Sequence, residues 1–369
     1  PPPGDGIFWG SAYTDLQSAV SNPLCTEIWV AAGIYLPDGA SLNDRSQSCV
    51  LKNGVAIYGG FSGDELVRDD RDPATHVSIL SGNIGLPEDA TDNSYNVVRG
   101  GGADSTAVLD GFTISDGYAN GDTDPVKIGG GMYNDTSAPT LANLIFSNNY
   151  ASRYGGGMGN IAGSHVTLTN VTFSDNETVF HGGAIYSQGS NLTLTNATFT
   201  GNYGSGGGAI YSTLYRAFIG QPPTDYNLTV TNATFYDNQA DSGGAIYVQT
   251  ADGNRLITHI TNSTFNSNNA SYGGSIQVIS NRPNPPGLGG LNVLTVRNSI
   301  LWDNPVIFWR DGGREIRTLD SNVPGAIILN IDNSIITEGD TDQHTAAAYA
   351  AGTGNLNTNP RLMPLADNG

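Results

Sequence analysis

The sequence predicts an all-β chain folded as a single-domain right-handed parallel β-helix, a solenoid whose N-terminal cap contains a short helix. Three observations support this fold class. Two short motifs alternate in fixed order along most of the chain, strand-like stretches lie between them, and glycine is abundant while charge is scarce. A repeat of about 20–50 residues is typical of solenoids, in which each coil buries its core against the next.

The composition already limits the function. The 369 residues include 49 glycines, and 13% are charged, about half the usual share. Lys and Arg number 15 against 34 Asp and Glu, so the net charge is −19. Because binding to a phosphate backbone needs clustered Lys and Arg, this balance excludes nucleic acid as a partner. The chain also lacks an apolar run long enough for a membrane-spanning helix, so we expect no membrane span in it.

The two motifs define the coils. The first, Phe-x-x-Asn, recurs every 26 to 36 residues and begins at Phe146, Phe173, Phe199, Phe235 and Phe265, with the variant LWDN at Leu301. The second, a glycine pair before a short strand, begins at Gly129, Gly155, Gly182, Gly207, Gly243 and Gly273. Glycine pairs permit positive φ angles and tight corners. We expect the aromatic and aliphatic residues of successive coils to stack in the interior.

An asparagine lies three residues before each Phe position. These residues are Asn143, Asn170, Asn196, Asn232, Asn262, Asn298 and Asn333. The apolar alternation changes phase here, as between Leu194 and Ala197, so we expect the chain to bend. We expect these side chains to point inward from left-handed turns and to form a ladder of amide hydrogen bonds. A second ladder is expected three residues after each Phe position.

We expect one domain over residues 1–369. Its expected parts are an N-terminal cap and first coil over 1–50, irregular early coils over 51–128, regular coils over 129–340 and a C-terminal segment over 341–369. The best helix candidate is the stretch from Asp15 to Val20. A helix there would cover the end of the first coil, whose unpaired strand edges would otherwise invite aggregation.

These motifs carry a family resemblance. The alternating GGAI and FxxN tetrapeptides resemble the repeats of bacterial polymorphic outer membrane proteins, and IWVAAGIYLPDG and NPRLMPLADNG resemble secreted bacterial β-helix proteins of the choice-of-anchor type. The resemblance covers nearly the whole chain. It implies an extracellular or cell-surface location and use as an adhesin or structural material. The partners it implies are further copies of the chain in a fibre or surface layer, or glycans on host or neighbouring cells.

Cys25 and Cys49 are the two cysteines of the chain. In an oxidising compartment we expect them to form a disulfide, and the alternative is two buried free thiols.

Nine Asn-x-Ser/Thr sequons occur. Four of them, at Asn170, Asn196, Asn232 and Asn262, belong to the predicted inward ladder, so we expect them to be unavailable to sugar. If the source organism glycosylates sequons, we expect modification at Asn134, Asn191, Asn227 and Asn269. The alternative is a chain without modification.

Tyr186, Tyr211 and Tyr247 follow the glycine corners at equivalent positions. Alternation after the preceding isoleucines favours outward-facing rings, which would form a ribbon able to hold sugar rings. If the rings face inward, they belong to the core.

The sequence contains one candidate metal site. Asn120, Asp122 and Asp124 offer oxygen ligands of the kind that Ca²⁺ prefers, and the alternative is a solvated acidic loop. We expect no other cofactor.

The sequence nominates no catalytic residue. Polysaccharide-cleaving enzymes use clustered carboxylates with Arg or Lys, whereas the faces of these repeats carry Thr, Ser, Asn and Tyr. We expect an extracellular structural or adhesive protein that forms the repeating subunit of a filament. The alternatives are a polysaccharide lyase or hydrolase and a non-catalytic glycan-binding module. We do not expect ice binding, because no regular Thr-x-Thr array on an insertion-free face is evident from the repeats.

Overall fold

The structure is a computed structural model that describes residues 6–37, 43–214, 225–251, 254–280, 290–306, 315–320, 327–336 and 351–361. Strands dominate these residues. One α-helix, Leu16–Ser21, and three 3₁₀ turns, Trp9–Ser11, Arg68–Asp70 and Ala90–Asp92, are present.

The largest sheet contains 16 strands. Ten of them form one continuous stack: Glu27–Ala31, Ala56–Phe61, Val108–Asp110, Thr140–Ser147, His165–Ser174, Asn191–Thr200, Asp225–Tyr236, Arg255–Thr261, Leu291–Arg297 and Ile327–Asp332. The other six are Gly33–Tyr35, Ser78–Ser81, Phe112–Ser115, Thr264–Asn266, Ile300–Trp302 and Ile335–Ile336.

Three smaller sheets complete the coils. The nine-stranded sheet contains Cys49–Val50, Val98–Arg99, Met132–Asp135, Met158–Ile161, Ile185–Gln188, Ile210–Leu214, Ile246–Thr250, Ile276–Ser280 and Ile316–Asp320. A three-stranded sheet contains Tyr118–Ala119, Tyr150–Ala151 and Glu177–Thr178, and a two-stranded sheet contains Gln239–Ser242 and Asn269–Tyr272. In the coils from His165 to Thr250, successive strands of the chain change sheet, and those of the two larger sheets pair in parallel with their equivalents one coil later. This arrangement is the predicted parallel β-helix.

The phenylalanines of the first motif stack through the interior. Phe173 lies opposite Phe146 and Phe199, and Phe235 lies opposite Phe199 and Phe265. All five are fully buried, and neighbouring ring centroids are 4.5–5.2 Å apart. The buried apolar cluster is continuous from Leu16 to Ile336. Burial of this column, coil on coil, supplies the main stabilisation of the solenoid.

The glycine pairs make the corners, as predicted, but their two members have different reasons. Gly182 has a φ of +70°, and a Cβ there would lie 2.2 Å from the carbonyl oxygen of Ile185. Gly183 is needed for a different contact, since its Cβ would lie 2.2 Å from the backbone oxygen of Gly208 in the next coil. The first glycine therefore permits the turn, and the second permits the close approach of neighbouring coils.

The predicted N-terminal helix forms. The Asp15 carboxylate accepts the backbone N–H groups of Gln17 and Ser18 at 3.2 and 2.9 Å, so the helix has an acidic N-cap. Leu16 and Val20 are buried. Gln17 Oε1 also accepts the N–H of Val50 at 2.9 Å, and Val50 belongs to the outermost strand of the nine-stranded sheet. The helix thus packs on the first coil and satisfies one of its edge donors.

Candidate functional site: two asparagine ladders, an aromatic column and a threonine face

One ladder of asparagines lies inside the coil, three residues after each Phe position. Its members are Asn149, Asn176, Asn202, Asn238, Asn268 and Asn304, all at most 3% exposed. In each of the first five, Nδ2 donates to Oδ1 of the asparagine in the next coil at 2.8–3.0 Å. The same oxygen accepts the backbone N–H of the preceding member. The buried amides are thus paired where an unpaired polar group would be costly.

This inner ladder ends on a carboxylate that the sequence motifs did not single out. Asn304 Nδ2 donates to Glu315 Oε2 at 2.8 Å, and Ser275 Oγ donates to the same oxygen at 2.6 Å. Glu315 is 1% exposed. Each amide dipole of the ladder therefore points its donor toward the C-terminal coils, where an acceptor closes the chain of hydrogen bonds.

The asparagines before the Phe positions form a second ladder, but on the outside of the coil. The prediction that they point inward is wrong: Asn143, Asn170, Asn196, Asn232, Asn262, Asn298 and Asn333 are all exposed. Their φ angles of 47–55° confirm the predicted left-handed bend. Leu194 and Ala197, on either side of this bend, are buried and already fill the interior at this corner. The polar side chain between them points to solvent.

The outer ladder runs in the opposite direction. Five consecutive Nδ2 groups, from Asn298 back to Asn170, each donate to Oδ1 of the asparagine one coil earlier at 2.9–3.2 Å. Asn143 then donates to Asp110 Oδ1 at 2.8 Å. Asp110 forms an ion pair with Arg71 at 2.8 Å, and both side chains are 14% exposed. Each ladder therefore ends at a carboxylate, one toward each end of the solenoid.

The exposure of the sequon asparagines differs from the prediction. Asn134 is fully buried and donates to Asn160 Oδ1 at 2.9 Å, so the expectation that it faces solvent is wrong. Asn191, Asn227 and Asn269 are partly exposed, and their modification stays a prediction. The sequon asparagines of the outer ladder, expected to be hidden from sugar, are exposed because that ladder lies outside.

Tyr186, Tyr211 and Tyr247 form a column on the nine-stranded sheet. They follow isoleucines of the buried core, Ile185 and Ile210 among them, so the tyrosines lie on the other side of the strand. Tyr186 and Tyr211 are only 5% exposed, because their ring faces are covered by stacking. The ring centroids of Tyr186 and Tyr211 are 5.7 Å apart, and those of Tyr211 and Tyr247 are 4.8 Å apart. The predicted ribbon of open ring faces for sugar is therefore wrong.

A second column of rings covers the first. Tyr154 stacks on Tyr186, and His181 stacks on Tyr211, each with centroids 4.3 Å apart. Gly206 makes room for this packing, since a Cβ there would lie 2.8 Å from His181 Nδ1. Burial raises the pKa of Tyr247 to about 12, and burial lowers the pKa of His181. Tyr154 and His181 each come just before a glycine pair. An aromatic residue at this position is the sequence signal for the second column.

The candidate calcium loop is held by arginines. Asn120 Oδ1 accepts from Arg45 at 2.6 Å, and Asp124 pairs with Arg153 at 2.7 Å, while Asp122 is exposed. Cationic donors thus engage two of the three predicted ligands, and the calcium site stays a prediction. No group of three His, Cys, Asp or Glu side chains that could hold a metal occurs among the described residues.

The predicted disulfide is also absent. Cys25 and Cys49 are free thiols, the first half-buried and the second buried in the core of the first coil. Burial, with a contribution from Asp15, raises the pKa of the Cys49 thiol to about 12. The alternative of two free thiols describes the structure.

Threonines line the outer face of the largest sheet, beside the outer ladder. The strands His165–Ser174, Asn191–Thr200 and Asp225–Tyr236 pair without a register shift. Threonines therefore stack in three columns: Thr167, Thr193 and Thr229; Thr169, Thr195 and Thr231; Thr172, Thr198 and Thr234. The expectation that the chain lacks a regular Thr-x-Thr array is wrong, because the first two columns form one.

Comparison with known proteins supports the fold. A family model described as a right-handed beta helix region matches residues 127–286. Neither a search of curated proteins nor a search of solved structures returned a match. In the ranges that the structure describes, no helix has the length and apolarity needed to cross a membrane. The parallel stacked sheets and this match together support a right-handed parallel β-helix fold for the chain.

Proposed function

We propose that this protein is an extracellular structural or adhesive β-helix and that it forms the repeating subunit of a filament. The two opposed asparagine ladders are the observation that carries the proposal. Their amide hydrogen bonds join successive coils along the solenoid axis, from Asp110 to Asn298 outside and from Asn149 to Glu315 inside. Such bonds resist stretching of the coil stack along its axis. This resistance suits a structural protein that bears load.

The outer surface supports an adhesive role. Over the coils from His165 to Tyr236, the outward positions of the largest sheet are mainly Thr, Ser and Asn. Uncharged hydroxyl and amide groups form hydrogen bonds to other polar surfaces without the desolvation cost of a full charge. Surface glycans of neighbouring cells are partners of the matching chemistry.

Electron microscopy and light scattering of the purified full chain test the filament. Over a range of concentrations and salt, we expect filaments in negative stain and a scattering mass that rises with concentration. Head-to-tail contacts between solenoid ends would be heterologous, so assembly need not close into a ring. A monomer under every condition would contradict the filament. The adhesive role is tested separately, by measuring binding of the chain to glycan-coated surfaces.

A polysaccharide-active enzyme is the second candidate, since the β-helix fold that the family match supports also occurs in such enzymes. Incubation with uronic-acid and neutral glycans, with and without Ca²⁺, separates the two roles. We expect no new reducing ends and no unsaturated products. Turnover that disappears when one carboxylate is removed would replace the structural proposal.

A further inference from the structure

The threonine face has a regular geometry that the proposed function does not use. In three consecutive coils the threonines of each Thr-x-Thr segment lie opposite one another, as in the pairings of Thr193 with Thr167 and Thr229 and of Thr195 with Thr169 and Thr231. Leu194, which lies between Thr193 and Thr195, is fully buried. The threonine side chains therefore all point away from the core.

The register sets the spacing of these side chains. Neighbouring strands lie about 4.8 Å apart, and alternate residues along a strand lie about 6.6 Å apart. Six threonines thus form a two-dimensional lattice in which every point carries one hydroxyl and one methyl group. Because β-branched side chains are stiff at χ1, the lattice is ordered before any ligand binds. The oxygen rows of an ice face repeat at similar intervals in two directions.

The face is uncharged in a protein whose net charge is −19. The three threonine columns contain no charged residue over these coils, and His259 and Arg297 enter the same two Thr-x-Thr columns only in later coils. The columns also contain no aromatic ring, so they lack the platform on which sugar rings stack. Water that hydrates such a surface meets hydroxyls and methyls but no ion that would impose its own hydration shell.

The neighbouring hydrogen bonds keep the lattice rigid. The outer ladder passes directly beside it, with Asn196 bonded to Asn170 at 2.9 Å and Asn232 bonded to Asn196 at 3.1 Å. A rigid surface loses little conformational freedom when it binds. From the lattice spacing, the absence of charge and this rigidity we propose that the threonine face binds crystalline water, so that the protein adsorbs to ice.

Ice growth in solutions of the full chain tests the proposal. We expect single ice crystals on a cooled microscope stage to become faceted and ice recrystallisation to slow. Thr195→Tyr places a ring at the centre of the array and should abolish both effects. Arg297 occupies the same column three coils later, so a long side chain is compatible with the fold at this position. Thr169→Tyr repeats the test one coil earlier.

Thr113→Tyr is the matched control. Thr113 faces outward on the same sheet but pairs with Ile79 and Ile145, outside the array, so this variant should keep both effects. Circular dichroism and thermal melting establish that each variant is folded. Round, unshaped crystals with the folded wild-type chain would overturn the proposal, as would full activity in both folded array variants. Binding to microcrystalline cellulose or chitin without any effect on ice would assign the face to polysaccharide instead.

Discussion

Asn304 donates its side-chain amide to the buried carboxylate of Glu315, 11 residues later in the chain, at 2.8 Å. This contact closes the inner ladder, just as the contact between Asn143 and Asp110 closes the outer one at 2.8 Å. An amide ladder needs an acceptor after its last donor, because a buried N–H without a partner carries its full desolvation cost. A carboxylate, which accepts strongly, stands at each of these two ends.

Loss of the Glu315 acceptor should therefore destabilise the C-terminal coils. In Glu315→Ala, Ser275 Oγ loses this acceptor, and Asn304 Nδ2 keeps only the carbonyl oxygens of Phe265 and Trp302. We expect the free energy of unfolding to fall by about 1–3 kcal/mol, the cost of a buried polar group that loses its partner. Glu315→Gln keeps an acceptor oxygen and should lose less. Thermal melting of the three proteins measures the difference, and equal melting of the Ala and Gln variants would contradict the role of the acceptor.

The two ladders should respond differently to the loss of one asparagine. Asn202→Ala removes the oxygen that accepts the buried backbone N–H of Asn176 and one acceptor of its side-chain amide. This loss should cost about 1–3 kcal/mol for the unpaired group. Asn196 is exposed with a φ of +55°, so Asn196→Gly keeps the backbone conformation, and water replaces its hydrogen bonds. We expect Asn196→Gly to change stability by less than about 1 kcal/mol. A larger loss in the outer variant would contradict the assignment of the inner ladder as the stabilising one.

The second glycine of each pair should not tolerate alanine. In Gly208→Ala the new Cβ would lie 2.3 Å from the Gly244 carbonyl oxygen and 2.7 Å from the Gln239 nitrogen. Neighbouring coils would have to separate, and we expect a loss of about 3 kcal/mol or more, typical of overpacking against backbone. Gly189→Ala is the control, since its Cβ meets open space at a φ of +56° and should cost only about 1–2 kcal/mol. Chemical denaturation compares the two, and similar losses would refute the steric argument.

His181 should make stability depend on pH. Burial lowers its pKa in the folded protein below the ordinary value of 6.5, while a backbone hydrogen bond at Phe180 acts in the opposite direction. Below pH 6.5 the unfolded chain therefore binds more protons than the folded one, so stability rises with pH through this window and is lost as the pH falls. The melting temperature of the wild-type chain should drop below that pH relative to His181→Phe. Parallel pH profiles of the two proteins would show that His181 does not carry the effect.

The two thiols should differ in reactivity. Cys25 is half-buried, whereas Cys49 is 4% exposed with its pKa raised to about 12. Because the thiolate is the reactive form, a maleimide or aromatic disulfide reagent should label Cys25 in the folded chain and both cysteines only after unfolding. Mass spectrometry of the labelled peptides identifies the site. A chain that takes up no label even when unfolded, until a reductant is added, would contain the disulfide instead.

Much of the architecture was predictable because each repeated residue type satisfies a requirement of the local backbone or of the coil interior. Gly182 must adopt positive φ, Phe173 must fill a coil interior, and Asp15 can cap a helix start. These requirements act within a few residues of chain and so appear directly in the spacing. The stacking register followed from the same repeats, since equivalent positions of parallel coils face one another.

The candidate sites were less predictable because they depend on contacts between distant segments. The sequence does not show that Arg45 and Arg153 occupy the oxygens of Asn120 and Asp124. The sequence also does not show that the ring faces of Tyr186 and its neighbours stack on one another and are thereby buried. The threonine array was missed although its register follows from the Phe positions, because only the paired strands show that this face continues across an insertion between repeats.

The sequence by itself determined the coil, its corners and the two asparagine positions in every turn, because these depend on backbone conformation and alternating burial along a short stretch. Only the tertiary structure decided which ladder lies inside, where each ladder ends and which rings remain open to solvent. The bend at Asn196 is local, but the direction of its side chain depends on whether Leu194 and Ala197 have already filled the core. That question is settled by packing across the whole coil.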